Sequence, residues 1–211
     1  MSDTLSDSIG SFAGLVAAGT ATPGGGSVAA YSGVLAASLG QMMCNLTLGK
    51  EKYVEVEPRV KEIKADLERL GTRLRQLIAE DAASFDAVLA AYRQPKETDE
   101  QKADRKRLIE VATHGAVAVP FGTARTAFEV LEHLAELAKI GNPNALPDVT
   151  VGGRLAETAV KGAYYNIGIN LKSLADQPAA EAIERQTTEL IRETERLTVE
   201  IESRMLKQMG K

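Results

Sequence analysis

At 211 residues the chain is long enough for one sizeable core, and residues 1–211 are taken as a single domain. Its apolar fraction of 44% includes no Trp, four Phe and five Tyr, so the core must come from Ala, Leu, Val and Ile, which favours close helix–helix contact. The net charge of −4, with Lys and Arg interspersed among Asp and Glu, offers no basic patch to neutralise a phosphate backbone, and nucleic acid is excluded as an expected partner.

Residues 1–8 carry Asp3 and Asp7 instead of a positively charged n-region, so the expectation is a cytoplasmic chain without a secretory signal. Ile9, Phe12, Ala13, Leu15 and Val16 have helical spacing, and Gly19 followed by Pro23 ends that first helix. Pro23-Gly24-Gly25-Gly26-Ser27 then launches a second helix, predicted over 27–48, rich in Ala with Gly33 and Gly40 in its interior. Within it, 28–44 is the most hydrophobic run, too short and too often interrupted by Ser, Gly and Gln for a bilayer span; a buried helix and no membrane partner follow. Cys44 lies in that run, which points to a structural, reduced thiol.

A long helix follows from Pro58 to about residue 93, with Ile63, Leu67, Leu70, Leu74, Leu77, Ile78, Phe85, Val88 and Tyr92 on one stripe. Asp81 lies in the middle of that stripe. Gln94-Pro95-Lys96 breaks the helix, Thr98 or Asp99 caps the next, and Pro120 kinks or restarts it before Gly141 stops it. The turn-rich segment 141–148 leads to a helix over 149–174, with Asp148 placed as its N-cap. A last helix over 179–207 repeats Ile183, Thr187, Leu190, Thr194, Leu197, Ile201 and Met205 at 3-4 spacing, a bundle or oligomer seam. No segment alternates as a strand, so the predicted fold is an all-α bundle of six to eight helices.

Three features could carry chemistry. Gly24, Gly25 and Gly26 feeding a helix at Ser27 leave backbone N–H groups at a positive dipole end, an anion site. The competing reading is a sharp turn needing positive φ. Asp81 on an apolar stripe is costly unless something neutralises or hydrogen-bonds it: an Arg or Lys from a neighbouring helix, or a substrate. Asn142, Asn144, Asn166 and Asn170 supply amides suited to a polar heterocycle, and Lys50, after Asn45 at the end of the second helix, is available for an anionic tail. His114 and His133 form no recognisable metal motif, so no metal is expected.

Thr22-Pro-Gly-Gly-Gly-Ser27, Cys44-Asn-Leu-Thr-Leu-Gly-Lys50 with Tyr53, Asp81 with Phe85 and Pro95-Lys96, and Gly141-Asn-Pro-Asn144 with Asp148 together resemble the cyclodeaminase/cyclohydrolase family. That family comprises the C-terminal half of formiminotransferase-cyclodeaminase and free-standing methenyltetrahydrofolate cyclohydrolases. The stretches 46–57 and 84–101 look most like the free-standing cyclohydrolase. The resemblance implies an all-helical homodimer acting on a reduced folate with no further cofactor. It implies Asp81 and Asp148 as catalytic carboxylates with interchangeable roles. It further implies Gly24, Gly25, Gly26, Ser27, Asn45, Lys50, Tyr53, Asn142, Asn144 and Asn166 as substrate contacts, with the glycine amides on a pterin carbonyl or a glutamate carboxylate. Pro147-Asp148 stands where the family often has Ser-Asp, which implies a differently shaped loop.

Overall fold

The computed structural model describes residues 9–210, so the acidic stretch with Asp3 and Asp7 lies outside the described residues. Six α-helices follow in order: α1 (Ile9–Ala17), α2 (Gly25–Thr47), α3 (Glu57–Tyr92), α4 (Asp99–Ile140), α5 (Leu146–Leu171) and α6 (Gln177–Gln208). One-turn 3₁₀ helices at Glu51–Tyr53 and Pro143–Ala145 join neighbours, and no strand occurs among the described residues. The boundaries have local causes. Pro58, Pro147 and Pro178 occupy first turns, where a missing N–H costs nothing. Thr98 and Gln101 form a reciprocal capping box on α4, and the Asp176 carboxylate accepts from the Ala179 N–H at the start of α6.

The centre of the bundle is α2, packed by α3, α4 and α5. Its small residues allow this. A Cβ at Gly40 would lie 2.7 Å from a Leu67 methyl and 2.8 Å from a Leu134 methyl, so α3 and α4 both close on that position. On the other side Gly162 of α5 meets Ala29, while Gly152 meets Ala36 and Leu39, so α2 and α5 run antiparallel in close contact. Cys44 is buried on the α3 side of α2, and burial pushes its thiol up to about 11, the inert structural role its surroundings predict.

Helices α3 and α4 are longer than the core they serve. The α3 stripe is buried from Ile63 to Ile78, but Phe85 and Tyr92 are 39% and 50% exposed. Beyond Asp81, α3 has run past the start of α2 and pairs with the exposed first half of α4, whose Arg105 donates to the Tyr92 carbonyl. Pro120 does not restart α4, which is continuous to Ile140. A proline there cannot donate to the Ala116 carbonyl four residues back, and that carbonyl instead accepts from Asn170 Nδ2 of α5 at 2.6 Å.

Three expectations change. Helix α2 begins at Gly25, two residues early, so two of the three glycines belong to its first turn. None of the three has positive φ; among the described residues that conformation is confined to Gly19, Gly49 and Gly210. Helix α5 begins at Leu146 with Ala145 as its N-cap, so Asp148 is an acidic residue inside the first turn. Of the two readings of the 3-4 stripe of α6, the bundle seam holds: it faces its own bundle, with Thr187, Thr194, Leu197 and Ile201 buried. The apolar surface lies elsewhere. Val28, Leu35 and Met42, seven residues apart on α2, are exposed, as are Val151, Tyr165 and Ile169 on the adjoining α5.

Candidate active site

The N-terminal turn of α2 presents backbone N–H groups at the positive end of a 23-residue helix. Asp81 fills that position. Ser27 Oγ donates to Asp81 Oδ2 at 2.8 Å, and the Ser27 N–H donates to the same carboxylate. A Cβ at Gly26 would lie 2.7 Å from the Asp81 carboxyl carbon and nearer still to Oδ1, so only glycine admits the carboxylate so close to the helix backbone. Gly26 thus serves close approach. Ser27 itself is fully buried, its hydroxyl committed to Asp81 and within 3.4 Å of the Ile78 carbonyl.

Neither sequence reading of Asp81 anticipates this partner. Among the described residues no Arg or Lys pairs with it; its helical neighbour Glu80 takes Arg73. Burial pushes the Asp81 carboxyl above the ordinary range, and the hydroxyl and amide of Ser27 pull it back without cancelling the rise. Asn166 stands beside this turn, its Nδ2 3.9 Å from where a Gly25 Cβ would be, and donates to the Gly162 carbonyl. Gly24, Gly25, Gly26, Ser27, Asp81 and Asn166 therefore converge at one end of α2, under the projecting α3–α4 hairpin.

The other residues gather at the opposite end. Asn142 is a structural staple: its N–H donates to Thr47 Oγ1 at 3.0 Å, its Nδ2 to the Leu46 carbonyl, and its Oδ1 accepts from the Asn144 N–H. With 7% exposure and these three bonds, Asn142 holds the loop to the end of α2 and has little left for a ligand. Asn45, Lys50 and Asn144 are exposed around it, Tyr53 is half-buried under the Lys52 ammonium, and Asp148 is half-buried one turn further on. Asp148 and Asn166 are eighteen residues apart on α5, about 27 Å at 1.5 Å per residue. The chain thus does not bring Asp81 and Asp148 together; the candidate residues lie in two groups at the two ends of α2. Among the described residues no three His, Cys, Asp or Glu side chains group to hold a metal ion, and no helix is long and apolar enough to cross a membrane.

Comparison with known proteins sharpens this picture. A family model described as formiminotransferase-cyclodeaminase matches residues 8–189. Methenyltetrahydrofolate cyclohydrolase of Methylorubrum extorquens is 41% identical over 83% of this chain and 84% of its own length. Formimidoyltransferase-cyclodeaminase of Rattus norvegicus is 34% identical over 90% of this chain, which spans only 35% of that longer protein. Among solved structures, formiminotetrahydrofolate cyclodeaminase of Thermotoga maritima superposes with a TM-score of 0.78 at 28% identity, covering 96% of both chains. The all-helical bundle, the carboxylate seated on the glycine-launched helix and these matches agree: the chain belongs to the formiminotransferase-cyclodeaminase family.

Proposed function

We propose that this chain is a methenyltetrahydrofolate cyclohydrolase, hydrolysing 5,10-methenyltetrahydrofolate to 10-formyltetrahydrofolate. The observation that carries this reading is Asp81, a half-buried carboxylate at the end of α2 with no cation paired to it. The methenyl bridge is a delocalised cation, so a preorganised carboxylate beside it lowers the energy of the bound cation and accepts a proton from the attacking water. Water oxygen bonds to the bridging carbon as the carbon–N5 π pair returns to N5, and Asp81 takes the water proton. The tetrahedral carbinolamine then loses its hydroxyl proton and the carbon–N5 bond breaks. N5 keeps the electron pair and is protonated, leaving the formyl group on N10. The bridge carbon is already electrophilic, so the reaction calls for no metal or cofactor. The 41% identity to a cyclohydrolase over most of both chains favours this reaction over the related cyclodeaminase, in which ammonia leaves.

The same reading includes a homodimer in the cytoplasm, the compartment suited to a reduced Cys44. Two half-sites at opposite ends of α2 become one whole site, twice, when two copies pair antiparallel across the exposed Val28, Leu35 and Met42 stripe. Each Asp81 then faces the partner's Asp148, Lys50 and Tyr53.

Loss of methenyl absorbance on adding the purified protein tests the reaction; a rate no faster than the uncatalysed one overturns it, and ammonia release from the formimino substrate transfers the assignment to the cyclodeaminase. Asp81→Asn lowers kcat by about 10²-fold or more. Its stability moves independently. Because Asp81 has a folded-state pKa raised above its unfolded value, the folded state holds that proton more tightly and stability declines as pH rises through that interval. Asp81→Asn is therefore expected to keep or raise Tm at neutral pH while losing turnover.

A further inference from the structure

We infer that Ser27 is a positioning residue for the Asp81 base, setting through its hydroxyl and amide the pH above which the enzyme works; this rests on the role proposed for Asp81. The geometry is specific. Ser27 is fully buried, so its hydroxyl cannot bind solvent or a ligand, and its 2.8 Å bond is to the carboxylate oxygen itself. Gly26 lets that carboxylate rest against the first turn of α2, and the projecting Asp81 side chain is thereby fixed from two directions, hydroxyl and backbone amide.

A base for a cationic substrate must be ionised, and burial works against this. The usual remedy, an Arg or Lys beside the carboxylate, would compete with the methenyl cation for it. Nothing of that kind is present. On α3 the neighbouring Glu80 and Arg73 bind each other, and on α5 the residue beside the turn is the neutral Asn166. No charged group of α2, α4 or α5 contributes to the shift at Asp81; burial and Ser27 account for it. The start of α2 supplies partial positive charge in place of a full one. It favours the ionised form of Asp81 and still leaves its negative charge available to the substrate.

The test is Ser27→Ala, which removes the hydroxyl and keeps the amide. The acid limb of the kcat/KM profile should move up by about 1 pH unit. A carboxyl-carbon NMR titration of Asp81 in the ligand-free protein, assigned with Asp81→Asn, should show the same upward displacement. An unmoved Asp81 titration in folded Ser27→Ala overturns the inference, even if the cyclohydrolase reaction stands. If the wild-type protein turns over no folate, the proposed reaction fails, and the NMR titration still decides whether Ser27 holds Asp81 ionised.

Discussion

Gly26 and Asp81 are fifty-five residues apart and share one position in space. Replacing Gly26 by Ala puts a methyl group into the carboxyl group, so either the first turn of α2 or the Asp81 side chain must shift. Overpacking of this sort costs about 1–3 kcal/mol, a fall of roughly 2–4 °C in Tm per kcal/mol for a chain of this length. The larger effect is on turnover: a base displaced by an ångström costs about 10²-fold. Far-UV circular dichroism unchanged from wild type, with methenyl hydrolysis near background, is the expected pair of results for Gly26→Ala. Full activity would mean that the carboxylate need not sit against α2. Asp81 itself was visible in the sequence because one carboxylate interrupts a stripe of Leu and Ile. Its partner Ser27 was not, since a serine after three glycines carries no local sign of what a distant helix will place beside it.

Helix boundaries were largely legible because their causes lie within a few residues. Thr98, Pro58 and Gly141 act locally, and α3 and α4 begin or end close to where those residues imply. Pro120 was not settled by the same reasoning. A proline inside a helix breaks it unless the orphaned carbonyl finds another donor, and only the fold brings Asn170 to Ala116. Asn170→Ala leaves that carbonyl without its donor and should cost about 1–3 kcal/mol, seen as a lower Tm in thermal denaturation. Faster amide exchange is expected around residues 116–120, next to the half-site at Asp81. An unchanged Tm would show that α4 tolerates Pro120 unaided. Asn170 thus belongs to the scaffold, as Asn142 does at the other end of α2.

The proposed homodimer can be tested through the site itself. If two copies share each site, Asp81→Asn and Asp148→Asn chains are each inactive alone. Random mixing of subunits by reversible dissociation, or by co-expression, then rebuilds one intact site in every mixed dimer and recovers about a quarter of the wild-type rate. Activity assays on the co-expressed pair read this directly; no recovery, with mixed dimers verified by mass, would place both carboxylates' work within one chain, and an active Asp148→Asn homodimer would deny a role to Asp148. Leu35→Arg, in the middle of the exposed α2 stripe, should yield a monomer by sedimentation with turnover lost alongside.

The sequence by itself determined the helices, the small-residue core and the one carboxylate that has no place on an apolar stripe, because periodicity, caps and composition act over a few residues. It also carried the motifs by which the family resemblance is drawn. Tertiary structure alone decided what Gly26 is for. As a local motif the three glycines read as a site for an outside anion; in the fold their helix start receives Asp81 from α3, with Ser27 holding it. It also decided that Asp81 and Asp148 stand at opposite ends of α2, since the end of a helix at which a residue lies depends on which way its neighbours run, a long-range choice that no short stretch of sequence encodes.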